Sequence, residues 1–327
     1  MKLLQVENLC VTLDTLDGPI EIIKGVDFSI EKGERLGIVG ESGCGKSITT
    51  LAIMSLLPLK SKVSGQILLN GDNINLLNED QMCKIRGNKI GMIFQEPMTA
   101  LNPVTTIGAQ IAESLILHRK MKKAHIKHEV EQLLDSVGLP VERFGLNLYP
   151  HQLSGGQRQR VMIAMAIACK PDILIADEPT TALDVTVQEQ ILELIKELVT
   201  QFNMSLIMIS HDLGVIAQTT QKVMIMYAGR VMEQGTTSQV FKHMSHPYTK
   251  GLFAAIPKPG SSRQKGKKRL STIPGNIPDP KSAHKGCVFT PRCSFTSDVC
   301  RESEPVQSDI APGHHIRCFH PIIENQG

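Results

Sequence analysis

Apolar and polar residues alternate along residues 3–30, and Asp17, Gly18 and Pro19 interrupt the alternation. A period of two is typical of strands with one buried face, and a Gly-Pro break is typical of a turn. The pattern therefore predicts short antiparallel strands in this region. Residues 65–71 predict a further strand that an Asn-Gly turn closes.

Continuous apolar runs follow at residues 35–40, 173–176 and 206–210. Such runs are typical of parallel strands that are buried on both faces. Residues 187–199 carry apolar positions at helical spacing, and residues 223–233 predict a hairpin. Buried strands that alternate with helices indicate an α/β fold with a parallel sheet.

The region 102–153 differs from its surroundings, because its apolar residues recur at helical spacing and few positions favour strands. We predict a helical subdomain here, inserted into the α/β core, and a helix over 154–169. The composition changes again after residue 257. Residues 258–269 carry six positive charges and no acidic residue, and three prolines follow.

This change predicts two regions, a core domain over 1–257 and a basic, Pro-rich and Cys-rich extension over 258–327. The basic run is interpreted as a solvated linker, and contact with phospholipid headgroups is the alternative. Hydrophobic residues make up 41% of the chain and charged residues 20%, which is typical of globular proteins.

The net charge of +3 is too balanced for a dedicated nucleic-acid binder, so no nucleic-acid partner is expected. No apolar run approaches the roughly 18 residues that span a bilayer, so the chain is not expected to be a channel or permease. The first residues lead directly into a strand pattern and do not resemble a signal peptide. We therefore expect a cytoplasmic, reducing compartment.

Residues 40–47 read Gly-Glu-Ser-Gly-Cys-Gly-Lys-Ser and lie between a predicted buried strand and a predicted helix. In such a loop the backbone N–H groups converge on phosphate oxygens, the lysine reaches the β- and γ-phosphates, and the serine hydroxyl binds Mg²⁺. This motif predicts a nucleoside triphosphate site. The predicted nucleotide-binding residues are Gly40, Ser42, Gly43, Gly45, Lys46, Ser47, Ile48 and Asp177.

Two carboxylates end the buried strand at 173–176. Asp177 is predicted to hold Mg²⁺ through water, as in P-loop NTPases. Glu178 is predicted to polarise the attacking water as a general base.

A second glycine motif, Leu153-Ser154-Gly155-Gly156-Gln157, precedes the helix over 154–169. A helix N-terminus of this kind is an anion site without its own lysine, so it can receive a phosphate that another molecule holds. Together with the phosphate loop, this signature motif resembles the ATP-binding cassette (ABC) family.

The resemblance implies a P-loop NTPase (RecA-like) core with an N-terminal antiparallel β subdomain, a helical insert and a small irregular Cys-rich C-terminal extension. It implies that Gln95 binds Mg²⁺ and senses the γ-phosphate, and that His211 contacts that phosphate. Residues Ala182, Leu183 and Asp184 resemble the D-loop of the family. Two cassettes close head to tail in this family, so the signature motif is implied to act in trans.

Three features resemble one branch of this family, the importers of dipeptides, oligopeptides and nickel: residues 95–103, residues 246–252 and the cysteine-rich tail. The resemblance implies a second ATPase subunit in a heterodimer, two membrane permeases and an extracytoplasmic solute-binding protein. It implies a peripheral position on the cytoplasmic side of the cell membrane. Nickel-chelate or glutathione import, a soluble ATPase of repair or translation, and an iron–sulfur sensor are the alternatives.

Four of the eight cysteines lie in the tail, at positions 287, 293, 300 and 318. Four thiolates can hold a [4Fe–4S] cluster or Zn²⁺. Zinc sites usually have tighter cysteine pairs, so we favour the cluster, which the resemblance also implies. Zinc and unliganded thiols remain the alternatives for Cys287, Cys293, Cys300 and Cys318.

Many cassettes stack adenine on an aromatic residue before the second strand, but residues 16–22 contain none. Apolar packing by Ile20 or Ile22 is predicted to replace it.

Overall fold

The computed structural model describes residues 2–181, 183–255, 272–281 and 285–323, without the side chains of residues 123 and 124. The basic run predicted over 258–269, the predicted boundary after residue 257, and Ala182 lie outside the described residues.

An antiparallel sheet of four strands forms the N-terminal part of the described chain, in the order β2-β1-β4-β5. These strands are β1 (Lys2–Thr15), β2 (Gly18–Glu31), β4 (Lys62–Leu69) and β5 (Asp72–Asn73). The prediction of antiparallel strands is confirmed, but the prediction that they are short is wrong, since β1 and β2 each have 14 residues. Register shifts within the β1–β2 pair explain the difference, because such irregularities interrupt the alternation that reveals a strand in sequence.

The second sheet described has eight strands in the order β11-β12-β10-β9-β3-β8-β7-β6. Its members are β3 (Arg35–Val39), β6 (Ile90–Ile93), β7 (Ile173–Asp177), β8 (Ser205–Ile209), β9 (Lys222–Tyr227), β10 (Arg230–Thr236), β11 (Ser308–Ala311) and β12 (His314–Ile316). Strands β9, β3, β8, β7 and β6 are parallel, and the predicted buried apolar runs coincide with three of them, β3, β7 and β8. In such a sheet, ligands bind outside the carboxyl ends of the strands.

Helices connect and cover these strands in the described regions. They are α1 (Lys46–Ile53), α2 (Glu79–Cys83), α3 (Pro97–Ala100), α4 (Ile107–Arg119), α5 (Lys123–Ser136), α6 (Gly155–Ile167), α7 (Val185–Gln201), α8 (Leu213–Thr219), α9 (Thr237–His243), α10 (Pro247–Ala254) and α11 (Asp298–Glu302). The region predicted as a helical insert contains α4 and α5, whose buried apolar residues share one core with α6. None of the helices in the described ranges has the length and apolarity that crossing a bilayer requires.

The C-terminal extension is more regular than predicted. Strand β12 pairs with β10, with Ile316 opposite Glu233, so the extension adds an antiparallel hairpin to the main sheet. The expectation of an irregular extension is therefore wrong for this part. Strand β12 has only three residues, too few for a periodic pattern to show in the sequence.

A buried carboxylate joins this hairpin to the core. Glu233 in β10 accepts hydrogen bonds from the backbone N–H groups of Ser245 (3.0 Å) and His246 (2.9 Å) and from Nε2 of His314 (2.8 Å). Burial alone would raise the pKa of Glu233, but the bonds from His314 and the backbone outweigh burial and hold the pKa below its usual value. The carboxylate therefore stays charged and links β10, β12 and α10.

We expect the protein to lose stability as the pH falls from about 6.5 to 4, and His246 to supply part of that loss. Burial lowers the pKa of His246 from 6.5 to about 4. The unfolded chain therefore binds a proton in this range that the folded chain excludes, so acid favours unfolding by roughly 3 kcal/mol. At pH values below the usual pKa of a glutamate, Glu233 adds a further loss of stability, because its pKa is lower in the folded chain than in the unfolded chain.

Denaturant titrations at pH 7, 5.5 and 4.5 measure how steeply the free energy of unfolding depends on pH, for the wild type and for His246→Asn. Asparagine retains an acceptor for the backbone N–H of Tyr248, which Nδ1 of His246 caps at 3.0 Å, and it does not titrate. The variant should depend less steeply on pH than both the wild type and a control, His151→Asn at an exposed position. Equal slopes in all three proteins would contradict the assignment.

Candidate functional site

The phosphate loop predicted at residues 40–47 connects β3 to α1, at the carboxyl end of a central strand. Lys46 is 5% exposed, and its ammonium donates to the backbone oxygens of Gly40 (2.8 Å) and Glu41 (3.1 Å). The lysine therefore points back into its own loop and places a positive charge among the backbone groups that face an incoming anion.

Two glycines let the loop take this shape. Gly45 caps α1 in the left-handed region at φ +107°, and a Cβ there would lie 2.5 Å from Cδ1 of Ile23. At Gly40 a Cβ would lie 2.2 Å from the backbone oxygen of Met226. At Gly40 the clash is with backbone and excludes a larger side chain, whereas at Gly45 the left-handed conformation itself favours glycine.

Ser47 and Asp177 meet across the sheet at the base of the loop. The Ser47 hydroxyl donates to Oδ1 of Asp177 at 3.0 Å, which joins the start of α1 to the end of β7. Burial raises the pKa of Asp177 above its usual value, against the opposing effect of the Ser47 hydrogen bond. Two oxygen donors beside a phosphate loop fit the ligand preference of Mg²⁺.

The Glu178 carboxylate is the meeting point of three side chains. Its Oε2 accepts from Nε2 of Gln95 at 3.3 Å and from the hydroxyl of Thr181 at 3.0 Å, and Nδ1 of His211 lies 3.4 Å away. The backbone of Glu178 has φ +45°, a left-handed conformation that is rare outside glycine. Strain of this kind persists where surrounding contacts hold a side chain in one orientation.

The structure thus brings together the predicted residues of the phosphate loop, Gln95, Asp177, Glu178 and His211. Sequence reasoning missed Thr181, which donates to the central carboxylate, and Gln159, whose amide donates to the backbone oxygen of Pro179 at 2.7 Å. A hydroxyl residue three positions after Glu178 was a visible signal for Thr181. Gln159 gave no comparable signal, because a single glutamine within a helix does not reveal in sequence that its side chain is buried.

The signature motif stands apart from this cluster. Ser154 caps α6 by accepting from the backbone N–H of Gln157 at 3.3 Å, and the side chain of Gln157 accepts from the Ser154 N–H at 2.8 Å. Gly155 and Ser154 are exposed at the start of the helix, and a Cβ on Gly156 would lie 2.8 Å from Cγ1 of Val187. The motif is a capped helix N-terminus whose first residues face solvent.

Asp184, predicted in the D-loop, is exposed and caps α7 by accepting from the backbone N–H of Val187 at 3.0 Å. Gln188 of the same helix donates to the backbone oxygen of Thr180 at 3.1 Å. The start of α7 is thus tied to the loop that follows Glu178.

A cavity of about 290 Å³ opens beside the phosphate loop. Its walls include Ser42 and Gly43 of the loop, Ile22 of β2, and the extension residues Ile277 and Pro278. Of the two isoleucines predicted to contact adenine, Ile22 is therefore the one that lines this space.

The tail cysteines do gather, since Cys287, Cys293, Cys300 and Cys318 line one small space, but it measures only about 10 Å³. That volume is about one water-sized probe, so a four-iron cluster does not fit. Burial raises the pKa of the Cys318 thiol to about 11, and it raises the pKa of the Cys287 thiol as well. In the described ranges no three His, Cys, Asp or Glu residues are placed to hold a metal ion, and the [4Fe–4S] prediction is wrong.

Two family models match the chain. One, described as ABC transporter, covers residues 23–181, and the other, described as the C-terminal region of oligopeptide/dipeptide transporters, covers residues 232–300. The first match contains the phosphate loop, the signature motif and both carboxylates, and the second contains α10 and three of the four tail cysteines.

Curated relatives are similar over nearly the whole chain. The oligopeptide transport ATP-binding protein OppD of Escherichia coli K12 is 47% identical over 98% of this chain and 94% of its own length. The dipeptide transport ATP-binding protein DppD of Bacillus subtilis 168 is 47% identical over 97% of this chain and 94% of its own length.

Solved structures carry the same fold. The ATP-binding cassette MJ0796, in a dimeric post-hydrolysis state with ADP and phosphate, superposes with a TM-score of 0.64 at 31% identity. The match covers 72% of this chain and 98% of that protein. With this fold, both family models and these relatives, the chain belongs to the ATP-binding subunits of ABC transporters, in the oligopeptide and dipeptide branch of that family.

Proposed function

We propose that the chain hydrolyses Mg-ATP to drive peptide import across the cytoplasmic membrane, and that the residues described above perform the roles their geometry allows. The Glu178 carboxylate carries this proposal. It is half-buried near the phosphate loop, it is contacted by Gln95, Thr181 and His211, and it lies next in sequence to the Asp177 that contacts Ser47.

Nucleotide binding is assigned to the loop itself. The backbone N–H groups from Ser42 to Ile48, together with the ammonium of Lys46, bind the β- and γ-phosphates. Ser47, Asp177 and Gln95 form the Mg²⁺ site, and the metal supplies charge neutralisation at the γ-phosphate. Ile22 and the cavity beside it receive the adenosine part of the nucleotide.

Hydrolysis needs a water molecule in line with the γ-phosphate and a group that accepts its proton. Glu178 accepts that proton, and Gln95 and Thr181 orient its carboxylate. His211 is 70% exposed and is free to contact the γ-phosphate from the open side of the site. Preorganised polar groups of this kind lower the barrier because they need no reorganisation during the reaction.

The signature motif acts on the nucleotide of a second cassette. Its helix N-terminus is exposed and carries unpaired N–H groups, so Ser154, Gly155, Gly156 and Gln157 receive the γ-phosphate that the partner's loop holds. Asp184 lies at the same face, at the start of α7. We propose that this partner is a second, paralogous ATPase subunit.

Two permeases, a solute-binding protein outside the membrane and a peripheral position on the cytoplasmic side complete the proposed importer. The names of the relatives support this assignment, since OppD and DppD are named for oligopeptide and dipeptide transport. Within the chain, 1–257 is proposed as the nucleotide-binding domain and 258–327 as an extension that folds back onto it.

Purification of the tagged chain from its own membranes should recover a second ATPase, two permeases and a solute-binding protein that holds a peptide. A parallel purification with an unrelated tagged cytoplasmic protein controls for carry-over. Recovery of the chain alone, or with ribosomes or DNA, would overturn the transporter assignment. A bound nickel chelate or glutathione in place of a peptide would overturn the choice of substrate only.

A further inference from the structure

The C-terminal extension contacts the phosphate loop through one arginine. The guanidinium of Arg292 donates two hydrogen bonds to the carboxylate of Glu41, at 2.6 Å to Oε2 and 3.0 Å to Oε1. Glu41 is the second residue of the phosphate loop, and 251 positions separate the partners in sequence. A two-bond contact of this kind fixes the orientation of a carboxylate as well as its position.

Arg292 is itself held by several groups. Its Nε donates to the backbone oxygen of Pro274 at 3.0 Å and its Nη2 to that of Ile273 at 3.2 Å, and its guanidinium lies 5.7 Å from the ring centre of Tyr227. The side chain is only 3% exposed. Hydrogen bonding to Glu41 holds the pKa of Arg292 above its usual value. The arginine is therefore a permanent, fixed positive charge.

Glu41 needs such a charge nearby. Its carboxylate is 26% exposed, and its own backbone oxygen accepts from Lys46, the residue that meets the phosphates. A bound triphosphate brings strong negative charge to this loop, and this charge repels the negative carboxylate of Glu41. Without a cation beside it, Glu41 would oppose nucleotide binding.

The backbone of the same residue is tethered as well. The N–H of Glu41 donates to the hydroxyl of Tyr248 in α10 at 3.0 Å, and Tyr248 packs against Tyr227 with ring centres 4.6 Å apart. The second position of the loop is therefore held from outside, at its backbone by α10 and at its side chain by the extension.

We propose that Arg292 is a positioning residue of the nucleotide site, which cancels the charge of Glu41 and holds the phosphate loop in the shape that receives a triphosphate. The inference rests on the proposed function, because it assumes that this loop binds Mg-ATP. Through Arg292, the C-terminal extension contributes directly to the affinity of the loop for nucleotide.

The test measures the dissociation constant of Mg-ATP for the full-length chain and the KM and kcat of the assembled transporter. Replacement of Arg292 with Met keeps most of the stem and removes the charge. This variant should bind Mg-ATP roughly 10-fold more weakly and show a raised KM. Its kcat at saturating ATP should stay close to that of the wild type, because Arg292 touches no reacting atom.

A second change separates charge from folding. In Arg292→Met combined with Glu41→Gln, the repelling carboxylate is gone, so most of the lost affinity should return, and the remaining deficit measures the loss of the two-bond contact. The loss in the single variant should also shrink as salt is raised, because salt screens the uncompensated charge. If Arg292→Met does not fold, Arg292→Lys retains the charge but cannot make the two parallel hydrogen bonds of a guanidinium. It should show a smaller loss of affinity for Mg-ATP, which Glu41→Gln also reverses.

Arg301→Met is the matched control, since Arg301 lies in the same extension and pairs with Asp298 at the surface, with 61% of its side chain exposed. Its affinity should equal that of the wild type. Wild-type affinity in Arg292→Met, or equal weakness in the single and double variants, would overturn the proposal. Failure of the wild type itself to bind Mg-ATP would instead overturn the proposed function.

Discussion

Replacement of Glu178 with Gln is expected to slow ATP hydrolysis at this chain's own site by roughly 10²–10⁴-fold, because an amide cannot accept the proton of the attacking water. The replacement has the same shape, and its amide oxygen can still accept from Gln95 and Thr181. Mg-ATP binding should therefore be retained. The measurement is steady-state turnover in a complex whose proposed second ATPase subunit lacks its own base, so that all hydrolysis comes from the site at Glu178.

Glu193→Gln is the matched control for this change. Glu193 lies on the outer face of α7, is 60% exposed and pairs with Lys196 at 3.2 Å on the surface. The same chemical change there should leave turnover unaltered. Hydrolysis at the wild-type rate in Glu178→Gln would falsify its assignment as the base, and loss of nucleotide binding would show that the variant damages the site itself.

A negative charge on the signature motif should strongly slow hydrolysis at the phosphate loop of the proposed partner cassette. Gly155→Asp places a carboxylate at the helix N-terminus that we assign to the γ-phosphate of the partner's nucleotide. The helix should tolerate the change, since an acidic residue in its first turn is stabilising by about 0.3–1 kcal/mol. A Cβ at this position meets only Cδ2 of Leu183, at 3.6 Å. The change should therefore stabilise the folded chain slightly while it slows hydrolysis of the partner's nucleotide.

This effect is measured in a complex that already carries Glu178→Gln, so that the remaining turnover belongs to the partner's phosphate loop. Adding Gly155→Asp should reduce that turnover about 100-fold or more, while the affinity of this isolated chain for Mg-ATP stays unchanged. Gly155→Ala adds a side chain without a charge, and so separates the effect of size from the effect of charge. Gly145→Asp adds the same charge where a Cβ meets no atom within 4 Å, and should have no effect. Unchanged turnover in Gly155→Asp would refute action in trans.

Much of the nucleotide site could be predicted because its chemistry is local in sequence. The phosphate loop lies within eight residues, and the carboxylates Asp177 and Glu178 follow directly on a buried strand that its apolar residues reveal. Parallel strands place such segments at one sheet edge, so motifs at the ends of separate strands lie close together. The structure places Gln95 within 3.3 Å and His211 within 3.4 Å of the Glu178 carboxylate.

The rest could not be predicted because it depends on pairing between distant segments. Arg292 and Glu41 lie in two separate sequence motifs, and neither motif shows by itself that it contacts the other. Four cysteines in the tail suggested a metal centre, yet spacing along the chain does not define the volume that they enclose in the fold. The space among them is a few per cent of what a ligand pocket holds.

The hairpin that completes the main sheet also sets the order of events during synthesis. His314 bonds to Glu233 in β10 across 81 residues of intervening chain. At 5–20 residues per second, the ribosome leaves the outer edge of β10 without its partner strand for roughly 4–16 s. A bare strand edge recruits other chains, so each newly made molecule passes through an interval that favours aggregation. Chains truncated before β12 would remain in that state, and we expect them to accumulate as inclusion bodies or to be degraded.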